Sequence, residues 1–187
     1  MAAVTYGNNP GSARLRVFPG SWRVDAARSY ASFSARVAGG PVRGRLGLTG
    51  RVRIAQPIED SEARLTARAG TLSTGSALLD QLITGPGFLD ADSFPEISFQ
   101  AELLVCVPAG WRAVGQLRLK GAERPLACQL DVVPGVRPAD GLAASGLAGM
   151  TITSRWALDS RWVTRQRIPG LGRRIVMGCS VALAPGL

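Results

Sequence analysis

The sequence predicts an all-β, antiparallel domain interrupted once by a short helix, and three observations carry that prediction. Apolar residues alternate over most of the chain, as in Ala63, Leu65 and Ala67 or Ile97, Phe99, Ala101, Leu103 and Val105. That is the period of strands with one packed face. Between those stretches Leu78, Leu79, Leu82 and Ile83 recur at spacings of one, three and four, which places them on one side of a helix. Finally, 23 glycines and 12 prolines in 187 residues supply the turns that many short strands need.

Residues 1–20 are rich in Gly, Asn and Pro and are expected to form a flexible N-terminal arm, leaving one domain over 21–184. SWRVD opens the first strand with Trp22 and Val24 on one face; RSYASFSARV then sets Ala31, Phe33, Ala35 and Val37 against Ser32, Ser34 and Arg36. Gly39-Gly40-Pro41 turns the chain into VRGRLGLTGRVRI, where Val42, Gly44, Leu46, Leu48, Val52 and Ile54 alternate with Arg43, Arg45, Arg51 and Arg53. One face there is packed and the other wet and cationic. Ser76 suits the N-cap of the helix, and Gly85-Pro86-Gly87 stops it. The loop behind it carries Phe88, Leu89 and Phe94, three large apolar residues that a solvated loop would not hold, so they are expected to cover something.

EISFQAELLVCV and GWRAVGQLRLKG read as a hairpin with Pro108-Ala109-Gly110 at its tip, and Pro125 restarts a strand at an edge. A Pro/Gly/Ala-rich loop covers 134–148, MTITSRWAL is the penultimate strand, 160–174 is a second irregular insertion, and IVMGCSVALA closes the domain with Ile175, Met177, Cys179, Val181 and Leu183 on one face. Eight or nine antiparallel strands must either stack as a sandwich or close as a barrel, and spacing alone does not choose.

A resemblance does choose. STGSALLDQLITGPGFLDADSFPEISF is similar to the signature of the YceI-like family, lipocalin-like β-barrels that bind polyisoprenoids and other long amphiphilic lipids; the match holds at Thr74, Asp80, Phe88, Leu89, Asp90, Pro95, Ile97 and Phe99. Trp22, Asp25, Ser29 and Phe33 match the family's opening, Val42 and Gly44 its next strand, Gly115, Leu117, Leu119, Gly121 and Pro125 a later segment, and Ile152 and Arg155 the penultimate strand. The sequence departs where the family carries arginine (here Leu79) or often histidine (here Arg28, Val37 and Leu82). The resemblance implies an antiparallel eight-stranded, lipocalin-like barrel, wide enough for one elongated ligand, with the helix and its loop as a lid at one mouth.

Composition narrows the chemistry. There is no histidine, no Gly-x-Ser-x-Gly elbow, no Cys-His pair and no phosphate-cradling glycine loop, so the matched acid, base or nucleophile that catalysis needs is missing. Neither a cofactor nor a metal is expected, and the protein is expected not to be an enzyme. Cys106, Cys128 and Cys179 lie in strand-patterned segments and read as buried, reduced thiols. No apolar run is long enough to cross a bilayer, and the first residues lack the apolar core of a signal peptide, so the expected location is cytoplasmic, with export the alternative if a leader precedes these residues. The net charge is +9, and every basic residue but Lys120 is arginine, a surface that attracts anions. Arg43, Arg45, Arg51, Arg53, Arg64 and Arg68 form a stripe without interleaved aromatics; bases find no stacking platform, and nucleic acid ranks low as a partner.

With the barrel implied by the resemblance, the expected function is non-enzymatic binding, storage or transport of a long-chain amphiphile such as a polyisoprenoid, an isoprenoid quinone or a fatty-acid-like lipid. Phe33, Leu46, Leu65, Leu82, Phe88, Phe99, Leu117 and Trp156 are its candidate lining, and Arg155 and Arg28 are candidates for an anionic or quinone-like head group. Arg161, Arg165, Arg167, Arg173 and Arg174, beside Trp162, suggest docking on an anionic membrane surface. The alternatives are a filled, ligand-free interaction barrel, including a homodimer, and an arginine-rich nucleic-acid binder.

Overall fold

The computed structural model describes residues 4–6, 15–17, 19–107, 110–134, 149–164 and 169–186. The expected positions Pro108, Ala109, Arg165 and Arg167, and nearly all of the 134–148 loop, lie outside the described residues, as does the side chain of Cys106. Within the expected arm, β1 (Val4–Tyr6) and β2 (Leu15–Val17) pair with each other as a short antiparallel ladder.

The remaining strands are β3 (Gly20–Val24), β4 (Tyr30–Val37), β5 (Gly40–Ile54), β6 (Glu62–Arg68), β7 (Glu96–Val107), β8 (Gly110–Leu119), β9 (Ala122–Pro134), β10 (Met150–Asp159) and β11 (Arg174–Pro185), with one helix, α1 (Ala77–Thr84), between β6 and β7. Each strand from β4 to β11 pairs antiparallel with its successor in sequence, and β11 returns to β4. The sheet therefore closes into an eight-stranded up-and-down barrel, which removes most of the free edge an open sheet would present. β3 and β4 share one position in it. β4 pairs with the first part of β5 and the middle of β11, whereas β3 pairs with Arg51–Ile54 and with Leu183–Pro185. The bend that parts them is built by Asp25, whose Oδ1 accepts from Ala27 N at 3.0 Å, and by Ser29, whose Oγ accepts from Ala182 N at 2.9 Å.

Alternation tells which face is inside. On β5, Gly44, Leu46 and Leu48 are buried while Arg43, Arg45 and Thr49 are exposed. The cationic stripe thus lies on the outer wall, where Arg45 stacks over Tyr30 at 4.5 Å, Arg53 pairs with Glu62 at 3.0 Å and Arg64 donates to Gln100 at 3.2 Å.

On β7 the simple alternation fails. Ala101 faces Gly115 but Leu103 faces Val114, a bulge that adds one residue and turns the rest of the strand over. Leu104 points inward, and Leu103, expected inside, is 41% exposed. Gly115 makes the close approach possible: a Cβ there would lie 1.9 Å from the Gln100 carbonyl oxygen.

Pro125 does not restart a strand. It sits within β9 opposite Gln116, at a level where β9 pairs with β8 but not with β10, so its missing N–H leaves no gap in a ladder.

Connections divide between two ends. The β5–β6 connection closes one of them: Ile58 is 1% exposed and packs in one cluster with Trp22, Val24, Ile54, Trp111, Met150 and Leu183. The β4–β5 turn, α1 with its loop, the β8–β9 turn and the β10–β11 insertion all meet at the other end.

Candidate functional site

The helix that covers the second end is short and leans on its surroundings. Ser76 occupies the N-cap position, but its side chain makes no capping bond. Asp80 does that ordering instead, accepting from Thr74 N at 2.7 Å and from Thr74 Oγ1 at 2.6 Å. At the other terminus the chain folds back on the helix: Leu89 N donates to the Ile83 carbonyl at 3.0 Å, Asp90 N to Gly85 at 2.9 Å and Ala91 N to Thr84 at 2.8 Å. Asp90 takes φ 54° to do so, a left-handed conformation that Asp tolerates better than most residues. Those bonds satisfy carbonyls that a helix end otherwise leaves open and drive Leu89 into the barrel, where it is buried.

Lys120, at φ 52° in the two-residue β8–β9 turn, fixes the lid to the other side of the mouth. Its Nζ donates to the Phe88 carbonyl in the lid loop and to the Val163 carbonyl at 3.2 Å in the β10–β11 insertion. That insertion is braced by Asp159, whose carboxylate receives Arg161 at 2.8 Å and Arg173 at 3.0 Å. The two guanidiniums, Arg161 foremost, hold the Asp159 carboxyl well below the usual carboxylate range.

Beneath the lid the barrel is hollow. A cavity with about 260 Å³ of room for the centres of water-sized spheres runs through it. The residues that line it are aliphatic, aromatic or sulfur-bearing apart from Ser61, Glu62, Ser98 and Ser154. Ser154 has its hydroxyl committed to the Gln129 carbonyl at 2.7 Å. Trp156 faces the cavity with its Nε1 buried and without a partner among the described residues. Cys128 and Cys179 face it too, both as free thiols. Loss of water pushes the Cys128 thiol up and the Cys179 thiol up to about 12, with Cys128 adding to the latter shift, so both stay protonated near neutrality.

The structure brings Phe33, Leu46, Leu65, Leu82, Phe88, Phe99, Leu117 and Trp156 together around this cavity. Arg155 is not among them. On β10 Ser154, Trp156 and Leu158 face inward, so Arg155 between them is exposed on the outer wall, and Arg28 is exposed in the β3–β4 bend. Neither reaches the interior.

Trp162 is taken up as well, packed against the Leu117, Leu126 and Leu158 cluster with Arg124 over its ring at 4.8 Å. Lys120 had no signal in the sequence, because its partners are backbone carbonyls of distant loops. The stripe of α1 is wider than its inner face: Leu79 and Ile83 look into the cavity, Leu78 is 76% exposed, and Leu82 both lines the cavity and is 56% exposed. Leu82 thus belongs to both the cavity wall and the outer surface of the lid.

A family model described as the YceI-like domain matches residues 22–164. Among solved structures, BcnA of Burkholderia cenocepacia superposes with a TM-score of 0.72 at 14% identity, over 85% of this chain and 98% of that one. A polyisoprenoid-binding domain from Saccharophagus degradans, implicated in plant cell wall breakdown, gives 0.64 at 12% identity over 88% and 98%. The Campylobacter jejuni YCEI protein gives 0.62 at 13% identity over 75% and 83%. At such identities these neighbours attest to the fold alone, and no curated protein matches the chain. The family match, however, spans well over half of the sequence and the whole of the lid, and the chain belongs to the YceI-like family.

Proposed function

We propose that this protein binds the hydrocarbon tail of a long-chain amphiphile (a polyisoprenoid, an isoprenoid quinone or a fatty-acid-like lipid) inside the barrel, and stores or carries it without chemical change. One observation supports the reading above others: a lidded cavity whose walls are almost wholly apolar and carry no cationic side chain. Burial in such walls is worth about 0.8 kcal/mol per CH₂, so a tail of several isoprene units outweighs the cost of ordering it. A charged head group would lose its hydration there without a partner and is left at the mouth. Thiols that remain protonated are poor nucleophiles, which suits a container for electrophilic lipids such as quinones.

Native mass spectrometry of the purified chain, followed by organic extraction and lipid analysis, tests the proposal. The expected result is one tightly held isoprenoid or acyl species, lost in Phe99→Arg. An apo mass together with no binding of added isoprenoids would overturn it in favour of a ligand-free interaction barrel.

A further inference from the structure

The most exposed large apolar side chains of the mouth lie at the same end of the barrel as three exposed arginines, Arg36, Arg43 and Arg174. Segment 71–73 runs along the outer end of β5, with Arg45 and Ser73 exchanging both backbone bonds at 2.9 Å and Gly47 N donating to Thr71 Oγ1 at 2.9 Å. Helix α1 starts four residues after Ser73, so its first turn lies beside the opening of β5. Leu78, 76% exposed, and Leu82, 56% exposed, stand there. Arg43 occupies the outer face of β5 at the same end, opposite Ser34 of β4; Arg36 lies two residues further along β4. Arg174 lies two residues beyond Val176, which faces Ser34 from β11, and Gly172 N donates to the Arg36 carbonyl at 2.8 Å. The three arginines are exposed. Among the described residues the ion pairs involve only Arg53, Arg161 and Arg173, so Arg36, Arg43 and Arg174 hold their charge without a carboxylate. The acidic residues of this end sit elsewhere: Asp80 is turned to Thr74, Asp159 is enclosed by Arg161 and Arg173, Asp90 and Asp92 lie in the loop past the helix, Glu96 opens β7, and Glu123 opens β9 opposite Arg118.

We propose that Leu78 and Leu82 with Arg36, Arg43 and Arg174 form a docking rim that seats the barrel mouth on an anionic lipid bilayer. Exposed leucines flanked by unpaired arginines match the two layers of a membrane surface: the leucines reach the acyl boundary while the guanidiniums meet headgroup phosphates. A second copy of the chain fits less well, because it would set arginine against arginine. The rim differs from the one expected at Trp162, whose ring is packed inward. It rests on the proposed lipid carriage for its purpose, since it sets Leu82, which also lines the cavity, at the source of the cargo.

Co-flotation of the full chain with phosphatidylcholine vesicles, with and without phosphatidylglycerol, tests it. Binding is expected only to the anionic vesicles and to weaken with salt. Each of Arg36→Gln, Arg43→Gln and Arg174→Gln should lower the affinity about fivefold, and Leu78→Gln with Leu82→Gln about tenfold or more, whereas Arg51→Gln and Arg112→Gln at the opposite end should leave it unchanged. Phe99→Arg should still float, which separates docking from cargo retention. Equal flotation of the rim variants and the wild type, or a rim-dependent dimer in place of vesicle binding, would overturn the proposal.

Discussion

Asp80 holds Thr74 twice, by the backbone N–H at 2.7 Å and by the hydroxyl at 2.6 Å, across the first turn of the only α-helix among the described residues. An eight-residue helix has little stability of its own, and none of its residues is fully buried. The pair therefore decides whether the lid keeps its shape. Asp80→Ala leaves the half-buried Thr74 N–H without its acceptor and is expected to cost about 1–3 kcal/mol. The loss should be concentrated in the lid. Hydrogen exchange should rise across 74–91 while the strands of the barrel keep their protection, and uniform loss of protection would contradict the assignment.

Lys120 acts at a greater distance. By donating to the Phe88 and Val163 carbonyls it ties the lid loop to the facing insertion, at the expense of a left-handed backbone that disfavours a residue with a Cβ by about 1 kcal/mol. Lys120→Gly relaxes the backbone but unties the loops, so global stability should change little while release of a bound apolar probe becomes several times faster. Lys120→Met removes the tie without the relaxation and should speed release similarly at a lower melting temperature. Stopped-flow displacement of a fluorescent fatty acid reads both variants.

Much of this arrangement was legible in the sequence. Alternation on β5 placed Leu46 and Leu48 inside and Arg43 and Arg45 outside, and the helical spacing of Leu79 and Ile83 marked the lid. The failures have physical causes. ELLVCV is apolar at Leu103, Leu104 and Val105 alike, so a one-residue bulge leaves no trace in its pattern, and Leu104 took the inward place expected of Leu103. Arg155 was misplaced even though Ile152, Ser154, Trp156 and Leu158 alternate around it; the period on β10 already turned it outward. The helical stripe showed which residues share a side but not how far the lid tilts, and so did not separate Leu78 from Leu79.

Gly44 and Phe33 form a second dependent pair. They face each other across β4 and β5, and a Cβ on Gly44 would fall 2.4 Å from the Phe33 ring. The ring lies where a side chain on residue 44 would stand, which lets a phenyl group serve as barrel wall. Gly44→Val should displace it and cost about 1–3 kcal/mol by overpacking. Phe33→Ala in the same chain should recover a good part of that loss, since residues in contact couple strongly. Additive losses in a double-mutant cycle of urea midpoints would show that the contact is not the cause.

The thiols give the cavity a signature in alkali. Cys179 shows part of its surface, but that surface belongs to the cavity, and loss of water there pushes its pKa from 9.0 up to about 12, with the neighbouring Cys128 contributing. A proton held more tightly in the folded state than in the unfolded chain stabilises the fold fully below the unfolded value, and that contribution drains away as the pH climbs toward the folded one. Stability should accordingly fall between about pH 9 and pH 12, and Cys179→Ala should flatten the decline while leaving a small void that costs about 1 kcal/mol or less at neutral pH. Urea midpoints measured across that range supply the comparison. An apolar ligand that fills the cavity should deepen the desolvation and keep Cys179 unreactive to iodoacetamide at still higher pH, whereas a thiol that alkylates readily at pH 8 with or without ligand would mean that water reaches the middle of the barrel.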